Sequence, residues 1–209
     1  MSHRATILGV MLLTSFAAAV VSLAQSTPPA VPASAGQFEP VYTADGRLQV
    51  PRQYREWIFL SAGLDMNYSA EASRMGHSMF DNVFVDPAAY RAFQQTGAWP
   101  ERTQLVKEDR GASQKGSINQ QGKFQTTDLM GVEVHVKDTK RFARFGGWAF
   151  FFFPNAAAGP AQPIPASAEC YSCHREHGAV DTTFVQFYPT LKTQQRVDTS
   201  TSPPKGTDK

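Results

Sequence analysis

Cysteine is scarce in this chain, with two among 209 residues, both in its C-terminal part. So few cysteines exclude a disulfide framework, and the missing second pair excludes a four-cysteine zinc site. Methionine is absent after Met130. Charge of either sign is nowhere concentrated, since 20 Lys and Arg stand against 18 Asp and Glu, a formal +2. The basic residues are scattered among acids, which excludes the basic stripe of a nucleic-acid-binding surface. No internal repeat is present. Nor is there an apolar run of the roughly twenty residues that a membrane-spanning helix needs. The nearest approach is Ile7 to Val21, uncharged and broken by Thr14 and Ser15.

Arg4 precedes that stretch and Ser22-Leu23-Ala24 follows it, so residues 1–24 read as a secretory leader cut ahead of Gln25. An uncleaved anchor is the alternative. Losing the leader removes Arg4 and no acid, which takes the formal charge from +2 to +1. Residues 25–36 are rich in Pro, Ala and Ser and read as a flexible linker. Residues 193–209 hold no large apolar residue except Val197 and read as a disordered tail. Residues 37–192 remain, enough for one domain with a core and a cofactor.

The two cysteines belong to Cys170-Tyr171-Ser172-Cys173-His174, a CxxCH pentapeptide. That spacing is the attachment signature of a covalent c-type haem. On one helical turn, residues three and four apart share a face. Both thiols can then reach the porphyrin while His174 comes up beneath the iron as its axial ligand. A thioredoxin-like dithiol is the competing reading, but it needs no histidine and belongs near the start of a βαβ unit. Export agrees with haem c, which is generally attached outside the bacterial cytoplasm, so the expected location is the periplasm. A small electron-carrying cytochrome usually has an early CxxCH and a later methionine ligand; here the motif is late and no methionine follows. The iron is therefore expected to be five-coordinate, with one face open to a small molecule. His77, His135, Met79 and Met130 are the candidates for a sixth ligand, each with an ordinary structural role as the simpler reading. The second nitrogen of His174 should be held by a backbone carbonyl.

Elsewhere the pattern is mainly extended. Trp57–Leu60 and Asn82–Val85 are β-prone, with Thr103–Val106 and Ser117–Phe124 as weaker strands around a turn-rich Gly111–Gly116. Met130–Lys137 alternates strictly, with Val132, Val134 and Val136 on one face and Glu133, His135 and Lys137 on the other. Gly147–Phe153 is apolar on both faces, which predicts a central strand. A helix is expected at Pro87–Thr96, with proline at its start and Gly97 after its end. Others are expected near Pro51–Trp57, around the haem motif and over Thr182–Leu191. The fold class is α+β: an antiparallel β-sheet core, a few short helices, and the CxxCH site near the C-terminus.

YREWIFL (54–60), NVFVDPAAYRAF (82–93), TGAWPERTQLVKE (96–108), GVEVHVKDTKRFA (131–143), GGWAFFFF (146–153), AECYSCH (168–174) and FVQFYPTLK (184–192) follow one another in an order that resembles the cytochrome P-460 family and its sister group, the cytochromes c′-beta. The resemblance implies a periplasmic, largely antiparallel-β protein carrying one haem c, commonly a homodimer. It implies oxidation of hydroxylamine, through an iron nitrosyl, to nitrous oxide, with electrons leaving to a periplasmic acceptor. The c′-beta members instead bind nitric oxide and carbon monoxide. Lys107 falls where the P-460 branch cross-links a lysine to the porphyrin; from composition alone it is a solvated strand lysine beside Glu108. Glu133 falls on the family's proton-accepting carboxylate; alternation alone would place it on a wet strand face. The family offers a distal phenylalanine near His77, so His77 and Phe80 are both candidates for the distal pocket. Trp148 and the phenylalanines at 150–153 either wall that pocket or fill the core.

Overall fold

The computed structural model describes residues 38–66 and 78–192. The expected leader (1–24), linker (25–36) and tail (193–209), and the distal candidate His77, lie outside the described residues. Five strands form one antiparallel sheet in the order in which they occur: β1 (Ile58–Leu64), β2 (Met79–Val85), β3 (Gln104–Ser113), β4 (Phe124–Lys137) and β5 (Trp148–Phe153). Helix α1 (Pro87–Thr96) joins β2 to β3, while α2 (Glu169–His177) and α3 (Pro189–Lys192) follow the sheet. This is the α+β architecture that the alternating pattern predicts.

Alternation decides what each face carries. On one face Val106, Val132, Val134, Val136, Ala149, Phe151 and Phe153 are buried with Leu48, Val50, Tyr54 and Trp57 from the segment before β1. Each of those fully buried valines contributes about 1.5–3 kcal/mol relative to exposure. On the other face Val85, Leu105 and Trp148 pack with Leu60, Ala89, Phe93, Trp99 and Tyr188. Both faces are thus covered, and the polar side of β4 is no wet surface: His135 is buried and Glu133 half-buried.

Helix α1 forms where its signals stand. The Asp86 carboxylate accepts the Ala89 N–H at 2.7 Å, Pro87 opens the first turn, and Gly97 ends it at φ 72°. Asp86 also accepts the Gln104 N–H at 3.1 Å, which ties the helix to β3.

Three expectations are corrected. Residues 117–123 form no strand: Asn119 Oδ1 accepts the N–H groups of Gln121 and Gly122, making them the loop of the β3–β4 hairpin, and the extended residues begin at Phe124. β5 is the last strand of the sheet and not a central one. Its apolar character on both faces survives because its free edge is covered: the Phe150 N–H donates to the Tyr171 hydroxyl at 3.2 Å, and the Ile164 N–H donates to the Phe150 carbonyl at 2.8 Å. The helix expected over Thr182–Leu191 is broken into a 3-10 turn at Val185–Phe187 and the four residues of α3, because Pro189 cannot extend a helix through its own missing N–H.

Candidate functional site

The pentapeptide lies inside α2, so Cys170, Cys173 and His174 are brought onto neighbouring positions of one turn. The cysteines are half-buried and not bonded to each other. Burial pushes both thiols above their ordinary pKa. His174 is buried, and its Nδ1–H donates to the Thr182 carbonyl at 2.7 Å. Burial pulls its pKa below the ordinary histidine value, the Thr182 bond opposing. The ring is therefore neutral, with Nε2 as its basic nitrogen, the form in which an imidazole ligates a metal.

The carbonyl reaches His174 because the chain doubles back directly after α2. The Gly178 N–H donates to the His174 carbonyl, and the Ala179 N–H to the Thr183 carbonyl, both at 2.9 Å. A Cβ on Gly178 would lie 2.6 Å from the His174 carbonyl oxygen and 3.0 Å from the Thr182 carbonyl carbon. Only glycine allows this close approach. The loop is pinned from outside by Trp99 Nε1–H, which donates to the Thr183 hydroxyl at 2.8 Å, and by Lys137, 3.0 Å from Asp181.

His174 opens onto a cleft between α2, the sheet and the segment before α3. Val83, Leu105, Phe150, Phe184 and Tyr188 give it largely apolar walls, and Lys107, Glu133, His135 and His174 supply the polar groups. Two sequence candidates meet here. Lys107 and Glu133 are direct cross-strand partners on β3 and β4, with Nζ 3.2 Å from Oε1. Behind them stand two residues that sequence reasoning missed. Asp81 and Asp109 are partners across β2 and β3, both buried, 3.6 and 3.2 Å from Lys107 Nζ. Lys107 is the cation that both carboxyls share. Burial pushes Asp109 up to about 7, Glu133 and Asp81 adding to the rise and Lys107 opposing it. Asp81 is also raised, mainly by burial.

Other candidates fall elsewhere. Phe80 does not join the cleft: β2 turns Asp81 and Val83 toward it, so Phe80, with Asn82 and Phe84, lies on the opposite face. Met79 and Met130 are not among the residues lining the cleft. His135 does line it, but its Nε2 engages the Thr182 hydroxyl at 3.3 Å and its ring stacks on Phe150 at 3.9 Å, placing it beside His174 rather than opposite. Phe150 lines the cleft, whereas Phe151 and Phe153 fill the core beneath the other face, and Phe152 is exposed.

An apolar cleft with one neutral buried imidazole, two cysteines within a turn of it and a polar far end fits a macrocycle bound through an axial histidine. A family model for cytochrome P460 matches residues 51–185, from before β1 to past the His174 loop. The chain belongs to the cytochrome P460 family. Haem and iron binding and the character of a c-type cytochrome come with that membership. No curated protein shows significant similarity to the chain.

Proposed function

We propose that this member of the P460 family is a periplasmic mono-haem c cytochrome that oxidises hydroxylamine to nitrous oxide and passes the electrons to a periplasmic acceptor, working as a homodimer. Cys170 and Cys173 would hold the haem through thioethers, His174 would ligate its iron, and Lys107 would tether the porphyrin further. When bound, the haem iron supplies an open coordination position for the substrate nitrogen and takes up its electrons. The protein's task is the protons. Glu133 accepts them from the bound substrate, and the apolar walls of Val83, Leu105 and Phe184 keep bulk water from competing. The observation that carries this reading is the 3.2 Å Lys107–Glu133 contact at the polar end of the cleft that also holds His174.

An optical spectrum of the reduced protein, taken with the masses of its haem peptides, tests the proposal. A strongly red-shifted Soret band and a Lys107 peptide fused to the haem peptide are expected. An ordinary haem c spectrum with an unmodified Lys107 peptide would replace the enzyme by a c′-beta-like protein that binds nitric oxide. Glu133→Gln should keep haem and hydroxylamine binding but lose turnover by about 100-fold or more, the usual contribution of a general base. Unchanged turnover removes Glu133 from the chemistry.

A further inference from the structure

His135 is a buried polar residue that the proposed reaction does not use. It projects from β4 on the same face as Glu133, two residues away, and ends against the loop that follows α2. Three observations converge there. The Thr182 hydroxyl shares a hydrogen bond of 3.3 Å with His135 Nε2, while the Thr182 carbonyl accepts the Nδ1–H of His174 at 2.7 Å. The His135 ring lies flat on Phe150, 3.9 Å between centroids and 11° between planes. His135 and Phe150 both present ring contacts to His174, at 5.3 and 4.6 Å, near perpendicular.

We infer that His135 and the Thr182 hydroxyl form a clasp that fixes the Thr182 carbonyl against His174 Nδ1 and so sets the donor strength of the axial imidazole. The inference rests on His174 being the haem ligand, as proposed above. The physical argument is one of leverage. A loop carbonyl is a mobile acceptor unless something holds its residue; Lys137 and Trp99 pin the flanking Asp181 and Thr183, and His135 holds the side chain of Thr182 itself. Strand β4 is rigid, and His135 is locked on it by stacking, so a hydrogen bond from the strand to Thr182 transfers that rigidity to the carbonyl. A well-aligned carbonyl draws the Nδ1 proton away from the ring, enriching Nε2 in electron density. A richer Nε2 favours ferric over ferrous iron and strengthens the iron–nitrogen bond. His135 and Thr182 are positioning residues, since neither touches the reacting atoms.

Thr182→Val removes the hydroxyl at constant shape and keeps the carbonyl; Thr182→Ser restores the hydroxyl; His135→Phe keeps the stack and removes Nε2. Resonance Raman of the ferrous holoprotein reads the iron–histidine stretch, and redox titration reads the midpoint potential. Thr182→Val and His135→Phe should lower the stretching frequency and move the potential positive, with turnover reduced about 10-fold as is common when an outer partner of a ligand is lost. Thr182→Ser should match the wild type. Unmoved stretch and potential in both Thr182→Val and His135→Phe, at full haem content, would overturn the clasp while leaving His174 as ligand. If the wild type shows no iron–histidine stretch, or His174→Ala keeps it, the ligand assignment itself fails, and the clasp falls with it.

Discussion

Glu108 and Asp109 are successive residues of β3, and alternation sends their carboxylates to opposite faces of the sheet. Glu108 is met by donors: the Tyr54 hydroxyl, Arg110 Nε, and Arg55 Nε at 2.7 Å. Burial alone would raise its pKa, but those bonds outweigh it and hold the carboxyl below its ordinary value. Asp109 meets another carboxylate, Asp81, with Lys107 as the cation they share with Glu133. Here burial wins, and the carboxyl is pushed up to about 7. Two neighbouring carboxyls, both shut off from solvent, therefore shift in opposite directions: three donors pull Glu108 down, while deeper burial and two nearby carboxylates push Asp109 up. The core face is built for a permanent charge. The cleft face holds Asp109, whose carboxyl exchanges its proton near neutral pH.

Substitutions at the two neighbours should separate these regimes. The largest effect belongs to Glu108→Ala, which strands Arg55, Arg110 and the Tyr54 hydroxyl; a loss of about 3 kcal/mol is expected by urea unfolding. A loss below about 1 kcal/mol would show that the donors are satisfied without it. Next comes Lys107→Met, which takes the shared cation from three carboxylates. In the haem-free chain its cost should be about 2 kcal/mol at pH 8 and should shrink toward pH 4, where Asp109 is neutral. A cost independent of pH would mean that Lys107 acts by packing.

Asp109→Asn comes last because its sign is opposite. The folded carboxyl keeps its proton up to about 7, whereas an unfolded aspartate loses it near 3.8. The wild type therefore has this contribution in full below about pH 4 and loses it as pH rises through about 7. Asparagine cannot ionise, so Asp109→Asn should equal the wild type at pH 4 and exceed it at pH 8, by as much as about 4 kcal/mol for the full shift. Destabilisation at pH 8 would show that the fold favours the Asp109 carboxylate, so that its pKa is not raised. The same variant should leave Glu108 untouched, so the tyrosine absorbance of Tyr54 should not change.

Much of this was legible in the sequence, for reasons that differ by residue. The alternation of Val132, Val134 and Val136 marks β4 because one buried face imposes a period of two. Asp86, Pro87 and Gly97 mark α1 because capping is local. Cys170, Cys173 and His174 declare themselves by spacing, and Lys107 and Glu133 stand out through the family resemblance. What stayed hidden depends on register. Asp81 and Asp109 become a pair only once β2 is aligned with β3, and nothing in either segment specifies that alignment. The parity of β2 is similarly open, since Phe80-Asn82-Phe84 and Asp81-Val83-Val85 are both plausible inward sets, and the register puts the candidate Phe80 on the face away from the cleft. Thr182 acts through a carbonyl that every residue has; the signal available was Gly178 directly after a helix.

The order of the strands has a consequence for how the protein is made. Every ladder joins segments that follow one another along the chain, so the sheet assembles by successive short-range closures, the kinetically favourable case. The segment bearing Cys170, Cys173 and His174 comes after all five strands. During synthesis it follows the whole sheet, so it docks onto strands that have already been made. A Cys170→Ala/Cys173→Ala chain should accordingly keep its strand signal in far-ultraviolet circular dichroism while failing to retain haem.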